Sequence, residues 1–359
     1  ARFDAARTKN GAVHMAVDQV NPGSRQVLVT GGAGYVGARL VPSLIEAGYR
    51  VRVLDTCWYG TDVFGELANH PMLELVVGDI RDRDTVNASV NECTDVIHLA
   101  CISNDPSYDL NPKLGEEINF TAFEPLVHAA KSAGVSRFVY ASSSSVYGVK
   151  EEERVTEDLP LDPLTDYSKF KAMCEPILLN AGEDGFVVTV IRPATLCGYS
   201  PRQRLDLTVN ILTNHAVNQQ IIRVFGGDQY RPNLHIEDMC RAYLEVLQQP
   251  ASKVNGQVFN VGADNMKVSE IAEIVASHVD GPIEVRVEPT QDQRSYRISS
   301  ERIAEAIGFR PKFTISDAVL DLQRAFTNGQ LPNSLTDPAY FNIQRMNEIL
   351  NAADSDGDT

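Results

Sequence analysis

The chain has 359 residues, of which 43% are hydrophobic and 22% are charged. This is an ordinary globular composition, and the length predicts one large domain with a smaller lobe appended to it. The formal net charge of -16 argues against a surface that binds nucleic acid or an anionic membrane. Any anionic ligand must therefore be bound by a few local arginines.

The 6 cysteines are scattered without a C-x-x-C pair, which is typical of reduced, mostly buried thiols in a cytoplasmic protein. The 7 histidines show no spacing typical of metal ligands, so no metal site is predicted. No uninterrupted apolar run approaches the ~18 residues that a membrane span needs. We expect a cytoplasmic protein that contacts no membrane, with a flexible N-terminal arm over residues 1–24 and a disordered tail over residues 351–359.

Strand-like and helix-like segments alternate through the first half of the chain. RQVLVT (25–30) is a buried-strand pattern, residues 34–47 have helical character, and RVRVLD (50–55) is a second strand. Further strands are predicted at LELVVGD, DVIHLA, RFVYAS and FVVTVIRP, separated by helices near 82–92, at 116–133 and at 167–183. This alternation predicts parallel β-α-β units, and so an α/β fold with a doubly wound parallel (Rossmann) sheet.

The stretch VTGGAGYVGARL follows the first strand and opens the first helix. Its glycines allow a tight turn and let the backbone approach a diphosphate, whose charge then lies at a helix N-terminus. About twenty residues later, Asp55 ends the second strand, where a carboxylate binds ribose hydroxyls and repels a 2'-phosphate. The pattern predicts bound NAD rather than NADP, although Asp55 has the alternative role of a loop cap. The predicted cofactor contacts of the turn are Gly31, Gly34, Tyr35, Val36 and Gly37.

A second acid, Asp79 in VVGDIRD, follows the next strand. It is placed to reach the adenine edge, with Ile80 packing on the ring. The alternative for Asp79 is the N-cap of the helix that begins near Asp82.

The segment DYSKFKAMCE places Tyr167 and Lys171 four residues apart, on one helical face. A phenol titrates near ~10 in water, and a lysine ammonium together with an oxidised nicotinamide would lower that pKa. Tyr167 would then remove a proton from a substrate hydroxyl while the adjacent carbon delivers hydride to NAD. A serine hydroxyl from YASSSSVYG, at the neighbouring strand end, would hold the same oxygen.

The glycine motif, Asp55, HLAC, YASSSSVYG, YSKFK and IRPATLCGY occur in that order over about residues 25–330. Together they resemble the extended short-chain dehydrogenases/reductases of the NAD-dependent nucleotide-sugar epimerase/dehydratase family. The resemblance implies a catalytic set of Ser143, Tyr167 and Lys171, and it implies that Asn119 supports the active-site helix. It also implies that four more residues lie beside the cofactor: Leu99, Ala100, Cys101 and Pro193.

The two residues after Ser143 select among the reactions of this family. Its dehydratases place an Asp-Glu pair there, and its decarboxylases and some reductases place a Glu at the second position; this chain has Ser144 and Ser145. A 3,5-epimerising relative has Cys at that second position. We therefore expect epimerisation at C4 through a transient 4-keto sugar. The alternative is NAD(P)H-dependent reduction of a keto sugar, and a 4,6-dehydratase or a non-catalytic nucleotide-binding regulator is expected less.

A nucleotide-diphosphate sugar needs cations in a protein this acidic, and arginine forks match phosphate oxygens. By resemblance, Arg231 and Arg294 grip the substrate diphosphate, and Arg204 lies beside the loop that covers the nucleotide base. Asn104 and Ser144 are further candidate substrate contacts, although turn and strand-end roles are the alternatives. The family resemblance also implies a homodimer formed through the helices at 116–133 and 167–183.

After Pro193 the elements become shorter and richer in Pro, Arg and Asn, which is typical of a smaller lobe that closes over the sheet. We assign the NAD-binding domain to residues 25–195, with later returns near 232–262. A smaller mixed α/β substrate lobe is assigned to residues 196–231 and 263–350.

Overall fold

The computed structural model describes residues 22–103, 105–290 and 295–356. The strands, in chain order, are β1 (Gln26–Thr30), β2 (Arg50–Asp55), β3 (Leu73–Val77), β4 (Asp95–His98), β5 (Arg137–Ala141), β6 (Val187–Pro193), β7 (Thr195–Cys197), β8 (Ile221–Phe225), β9 (Tyr230–His235), β10 (Gln257–Val261), β11 (Asp264–Lys267) and β12 (Glu284–Glu288). The helices are α1 (Gly37–Glu46), α2 (Arg83–Val90), α3 (Asp105–Tyr108), α4 (Pro112–Glu116), α5 (Phe123–Ser132), α6 (Asp166–Ala181), α7 (Thr208–Gln219), α8 (Ile236–Gln248), α9 (Ala251–Val254), α10 (Val268–His278), α11 (Glu301–Ile307), α12 (Ile315–Thr327) and α13 (Asn342–Asp356). A π-helix at Glu117–Thr121 joins α4 to α5.

Among the described residues, seven strands form the central sheet in the order β10-β6-β5-β4-β1-β2-β3. Every neighbouring pair in it is parallel. The chain runs outward from β1 to β3 and then returns to the other side of β1 as β4, so a crevice opens at the carboxyl ends of β1 and β4. The predicted doubly wound parallel sheet is confirmed.

Helices cover both faces of this sheet. Val27 and Val29 of β1 pack into one core cluster with Leu40 and Leu44 of α1, whereas Leu28 belongs to the cluster on the opposite face. All three β1 residues are fully buried. A strand that is buried on both faces has a continuous run of apolar residues, and this run is why the sequence predicted β1.

The chain leaves the sheet after β6 and returns to it as β10, which pairs in parallel with β6. Outside the sheet, β7 and β11 flank β9, one parallel and one antiparallel to it. β8 and β12 pair beside a separate apolar cluster that is built from α7, α10 and α12. The segments that form this mixed α/β lobe lie in sequence between β6 and β10 and after β10, as expected for a lobe over the carboxyl ends of the strands.

The two predicted ends differ in what the structure describes. The predicted N-terminal arm lies outside the described residues as far as residue 21, and Pro22–Ser24 form a 3-10 helix. The predicted disordered tail over 351–359 needs correction, because α13 continues to Asp356. Met346 is 1% exposed within the core, which anchors this helix and lets its polar residues continue it. No helix in the described ranges is long and apolar enough to span a membrane.

Candidate active site

The crevice at the carboxyl ends of the strands is a cleft of about 530 Å³. That volume is typical of small-molecule sites, which measure ~300–1,000 Å³. Most of the residues predicted from sequence line it: Gly31, Gly34, Tyr35, Val36, Asp55, Asp79, Ile80, Leu99, Ala100, Cys101, Ser143, Ser144, Tyr167, Lys171, Pro193, Arg204 and Arg231. Two further predicted contacts, Asn104 and Arg294, lie outside the described residues.

The glycine-rich turn is built by close backbone approach. Gly31 has φ +74°, and a Cβ added there would lie 2.6 Å from the backbone nitrogen of Ala100, at the end of β4. A Cβ on Gly37 would lie 2.3 Å from the carbonyl oxygen of Gly32, so Gly37 serves helix packing and is not among the lining residues. The N-terminus of α1 therefore lies directly behind the cleft, where it favours an anion.

Asp55 ends β2 inside the cleft and holds the glycine-rich turn in place. Its two carboxylate oxygens accept hydrogen bonds from the backbone N–H groups of Ala33 (2.9 Å) and Cys57 (2.8 Å). Burial raises the pKa of this carboxyl, and the two N–H groups act against that shift. Each oxygen keeps a lone pair, so Asp55 both caps the local loop and can accept a ribose hydroxyl.

Asp79 also lines the cleft, but Asp82 is the residue that caps α2. The Asp79 carboxylate instead binds Arg81, whose Nη2 lies 2.8 Å from it. The alternative assignment of Asp79 as the helix N-cap is therefore wrong.

Tyr167 stands in the first turn of α6, beside the end of β5. A capping box between Thr165 and Ser168 starts this helix and fixes the direction of its first turn. Ser143, two residues beyond the end of β5, lines the cleft with Tyr167 and lies close enough to lower the pKa of its phenol. Lys171 follows one turn later, and its Nζ lies 6.0 Å from the centre of the Tyr167 ring. The structure thus brings the three predicted catalytic residues together.

Burial is the largest influence on the Tyr167 phenol and raises its pKa above the ordinary value, while Arg204 and Ser143 lower it. The Nζ of Lys171 donates a hydrogen bond to the Ala141 carbonyl oxygen at 2.7 Å, which fixes the ammonium beside the catalytic set. Lowering of this pKa by Lys171 together with an oxidised nicotinamide stays a prediction.

A buried network supports the strand that carries Ser143. Ser142 donates to Glu175 at 2.5 Å, and Glu175 forms a two-point ion pair with Arg192 of β6 (2.6 and 2.9 Å). Arg192 also donates to the Tyr147 hydroxyl at 2.7 Å. Ser142 is thus structural, as its strand-end position indicated.

Asn119 lies in the π-helix and supports the cleft from below. Its side-chain amide accepts a hydrogen bond from the Ile102 backbone N–H (2.8 Å) and donates one to the Ile102 carbonyl oxygen (3.0 Å). Its backbone carbonyl oxygen accepts a hydrogen bond from the Cys174 thiol of α6. Asn119 therefore joins the loop after β4 to the helix that carries Tyr167.

The other two serines of the run differ in environment. Ser145 Oγ lies 2.8 Å from Ser143 Oγ, within the catalytic set. Ser144 is 2% exposed, and its hydroxyl lies 3.3 Å from that of Tyr296, across the cleft in the substrate lobe. No carboxylate stands at either position.

The predicted arginines occupy different parts of the cleft. Arg231 lies on β9, within the lining. Arg204 forms an ion pair with Asp206 (2.9 Å) and lies near Ser103 of the loop after β4 (3.4 Å). Arg204 is also close enough to Tyr167 to lower the pKa of its phenol, and its place beside the loop that covers the nucleotide base stays a prediction.

Several lining residues were not predicted as contacts: Trp58, Tyr59, Arg202, Asp206, Tyr296 and Asn342. Trp58 and Tyr59 lie three and four residues after Asp55, so their position after a cofactor-binding strand was a usable signal. Asn342 carries no such signal, because it reaches the cleft only through the course of the C-terminal segment.

The cleft fits a dinucleotide. Its backbone cradle at Gly31 leaves no space for a side chain, a helix N-terminus lies behind it, and a carboxylate stands at the end of β2. Within the described parts of the chain, no cluster of side chains could hold a metal ion. Fold and site together define a Rossmann-type dinucleotide-dependent enzyme with a Ser-Tyr-Lys set.

Comparison with known proteins defines this class further. Residues 27–262 match the model of the NAD dependent epimerase/dehydratase family, and the chain belongs to that family. NAD is therefore its cofactor, which confirms the prediction. The low-salt glycan biosynthesis protein Agl12 of Haloferax volcanii is 30% identical over 82% of this chain and 96% of its own length.

Other similar proteins have different reactions in their names. A UDP-glucose 4-epimerase of Lactobacillus helveticus is 28% identical over 82% of this chain and 94% of its own length. The structure of DesIV, a dTDP-glucose 4,6-dehydratase of Streptomyces venezuelae with NAD bound, superposes with a TM-score of 0.77 at 24% identity. That match covers 87% of this chain and all (100%) of DesIV, and it supports the fold.

Proposed function

We propose that the protein epimerises a nucleotide-diphosphate sugar at C4 through a transient 4-keto sugar. The observation that carries this proposal is the immediate surroundings of Tyr167. The Ser143 hydroxyl lies close enough to lower the pKa of the phenol, and the two following positions hold Ser144 and Ser145. Such a site can move the proton of one hydroxyl, whereas elimination of water needs a separate acid and base.

The chemistry follows from these side chains. The Tyr167 phenolate accepts the proton of the C4 hydroxyl, while Ser143 holds the same oxygen by a hydrogen bond. NAD, when bound, supplies the acceptor of the C4 hydride and afterwards its donor. Tyr167 would return the proton to the same oxygen once the hydride had been given back to the opposite face of the 4-keto sugar, so that the C4 epimer forms without net oxidation.

Because burial raises the pKa of Tyr167, the protein alone keeps the phenol protonated at neutral pH. The positive charge of an oxidised nicotinamide acts in the opposite direction, as do Arg204 and Ser143. The base thus becomes effective only in the loaded site, which limits unwanted proton transfer.

The substrate class is supported by the family and by the charge of the cleft. Arg231 lines the cleft from β9 and is suited to the diphosphate, and Ser144 with Tyr296 presents two hydroxyls toward the same space. We assign the diphosphate to Arg231, and Arg294 and Asn104 remain predicted contacts.

A 4,6-dehydratase is the second candidate, because one observation favours it. Asp105 lines the cleft near Tyr167, where its carboxylate contributes to raising the phenol pKa. It accepts a hydrogen bond from Thr165 at 2.5 Å. The relatives also include dTDP-glucose 4,6-dehydratases, such as that of Streptomyces antibioticus.

The test is incubation of the protein, without added cofactor, with UDP-, GDP-, dTDP- and CDP-hexoses, followed by mass spectrometry and proton NMR of the sugar. Epimerisation predicts a new sugar spectrum at unchanged mass, with the same result for an Asp105→Asn variant. Loss of one water, abolished in that variant, would establish the dehydratase. Turnover that requires both a keto sugar and added NADH would establish the reductase.

We also propose a homodimer formed through the helices predicted at 116–133 and 167–183. Met173 on α6 is 46% exposed, which supports an apolar contact there. Sedimentation of the wild type and of a Met173→Glu variant tests this, because only a dimer through α6 would dissociate in the variant.

A further inference from the structure

Arg202 is a buried guanidinium without a full set of partners. It is 4% exposed, it lines the cleft, and its Nε and Nη1 have no hydrogen-bond partner. Its Nη2 donates to the Asn342 side-chain oxygen at 2.6 Å, and the guanidinium carbon lies 3.5 Å from the centre of the Tyr59 ring. Unsatisfied buried N–H groups are costly, so their persistence in a cleft points to a ligand.

The carboxylate beside Arg202, Asp206, is shared with a second arginine, because the charges of both arginines act on it. Asp206 forms its ion pair with Arg204 and also accepts the backbone N–H of Asn342 at 3.2 Å. Burial is the main cause that lowers the pKa of Arg202 to about 10; Arg204 adds to it, whereas Tyr59 and Asp206 act against it, and the group stays a cation at neutral pH. A buried cation that shares its surroundings with a second arginine favours an anion.

The position of Arg202 points to the cofactor side of the cleft. Its charge acts on Asp55, the carboxylate at the end of β2. Its loop also contacts the glycine-rich turn, because Ser200 donates to the Tyr35 carbonyl oxygen and the Tyr35 hydroxyl donates to the Gly198 carbonyl oxygen, both at 2.7 Å. A dinucleotide that runs from Asp55 past α1 toward Tyr167 places its diphosphate beside this loop.

We propose that Arg202 binds the diphosphate of NAD from the side opposite α1, and that Asn342 is the residue that positions it. Arginine N–H groups suit phosphate oxygens, and Nε and Nη1 are the two nitrogens without a partner. These two donors point to different sides of the guanidinium, so each can bind a separate oxygen of the diphosphate. Asn342 fixes the orientation of the guanidinium by also donating to the Ser103 hydroxyl at 2.8 Å, which joins the loop after β4 to the C-terminal helix. This inference concerns cofactor binding and holds whichever sugar reaction the site performs.

Trp58 provides a direct readout of binding. It is the only tryptophan of the chain (Trp 1) and lines the cleft next to Tyr59. Protein stripped of resident cofactor is titrated with ADP-ribose and, separately, with adenosine, while Trp58 emission is followed. The two ligands share the adenosine, and adenosine lacks the diphosphate and the ribose beyond it, so the ratio of their dissociation constants reports the contribution of that part of the ligand.

In Arg202→Met, the dissociation constant for ADP-ribose is expected to rise about 10- to 100-fold, whereas that for adenosine stays unchanged. Asn342→Ala should raise the dissociation constant for ADP-ribose as well, by a smaller factor. Arg202→Lys keeps the charge but loses the separate Nε and Nη1 donors, so its dissociation constant should lie between those of Arg202→Met and the wild type. Arg345→Met is the matched control, because Arg345 ties α13 to the Trp58 carbonyl oxygen at 2.7 Å without touching Arg202.

Three results would overturn the proposal. Equal ADP-ribose affinity in wild type and Arg202→Met would make Arg202 a packing residue only. Equal losses in Arg202→Met and Arg345→Met, or parallel losses for adenosine, would show general disorder of the loops. Weaker UDP binding to NAD-loaded Arg202→Met, with unchanged ADP-ribose binding, would assign Arg202 to the substrate diphosphate instead. Thermal melts of each variant confirm that folded protein was titrated.

Discussion

The two sides of the cleft are constructed differently. On the sheet side, the glycine-rich turn, Asp55 and Tyr167 are each positioned by a strand end and the helix that follows. On the opposite side, Asn342 reaches the cleft through partners 140 and 239 positions away in sequence, Arg202 and Ser103. The first kind of site is encoded by local motifs, whereas the second depends on how the lobe and the C-terminal helix pack.

The largest expected effect is on the sheet side. Tyr167→Phe removes the phenol oxygen that carries the proton, so kcat should fall about 10²- to 10⁴-fold while NAD content is unchanged. Tyr199→Phe, outside the cleft lining, is the control and should keep full activity. Near-normal turnover by Tyr167→Phe in a steady-state assay would remove Tyr167 from the catalytic set.

The buried ion pair between Glu175 and Arg192, beside the end of β5, tests how strongly the sheet side of the cleft is stabilised. Glu175→Gln leaves Arg192 buried without its carboxylate, and the free energy of unfolding should fall by about 3–5 kcal/mol. The exposed pair between Lys169 and Asp166 on the same helix is the comparison, and Lys169→Gln should cost less than about 1 kcal/mol. Denaturant unfolding measures both, and equal effects would mean that the buried network does not stabilise the strand.

The backbone cradle is tested by two glycines with similar conformations. Gly31→Ala and Gly134→Ala both place a side chain at positive φ (+74° and +81°), but only Gly31 would press on the Ala100 backbone. Gly134→Ala should cost about 1 kcal/mol and leave NAD affinity unchanged, whereas Gly31→Ala should cost a further ~1–3 kcal/mol and weaken NAD binding. Calorimetric titration of NAD against both variants checks this, and unaltered binding by Gly31→Ala would contradict the cradle.

Acid pH should weaken the sheet side through His98. Burial, and secondarily Lys171, lower the pKa of His98 to about 3, whereas in the unfolded chain it titrates near ~6.5. The unfolded state therefore binds the extra proton between about pH 3 and 6.5, and the stability is fully present above that window and lost as pH falls through it. In the His98→Gln variant, the slope of the unfolding free energy against pH in this range should be smaller than in the wild type by up to ~1.4 kcal/mol per pH unit. The comparison is His215 of the substrate lobe, whose pKa is also lowered by burial. Because this side chain is only half-buried, its replacement should change the pH slope of the unfolding free energy less.

The sequence predicted the sheet because its strands are continuous apolar runs, as at Val27–Val29, and it predicted the cofactor turn because glycines and Asp55 have a fixed spacing. It predicted the catalytic set because Tyr167 and Lys171 share a helical face. The hydrogen bond from Lys171 to the Ala141 carbonyl oxygen was not predictable, because it joins two segments that are 30 residues apart in sequence. Nor were Arg202 and Asn342, whose roles arise only when distant segments pack together.

The most direct test of the proposed reaction follows one hydrogen atom. A nucleotide sugar that turns over is supplied with deuterium at C4, and the product is analysed by NMR and mass spectrometry. Epimerisation through Tyr167 predicts a C4 epimer of unchanged mass with deuterium still at C4. Deuterium found at C6 together with loss of one water, or a label lost to solvent, would contradict it.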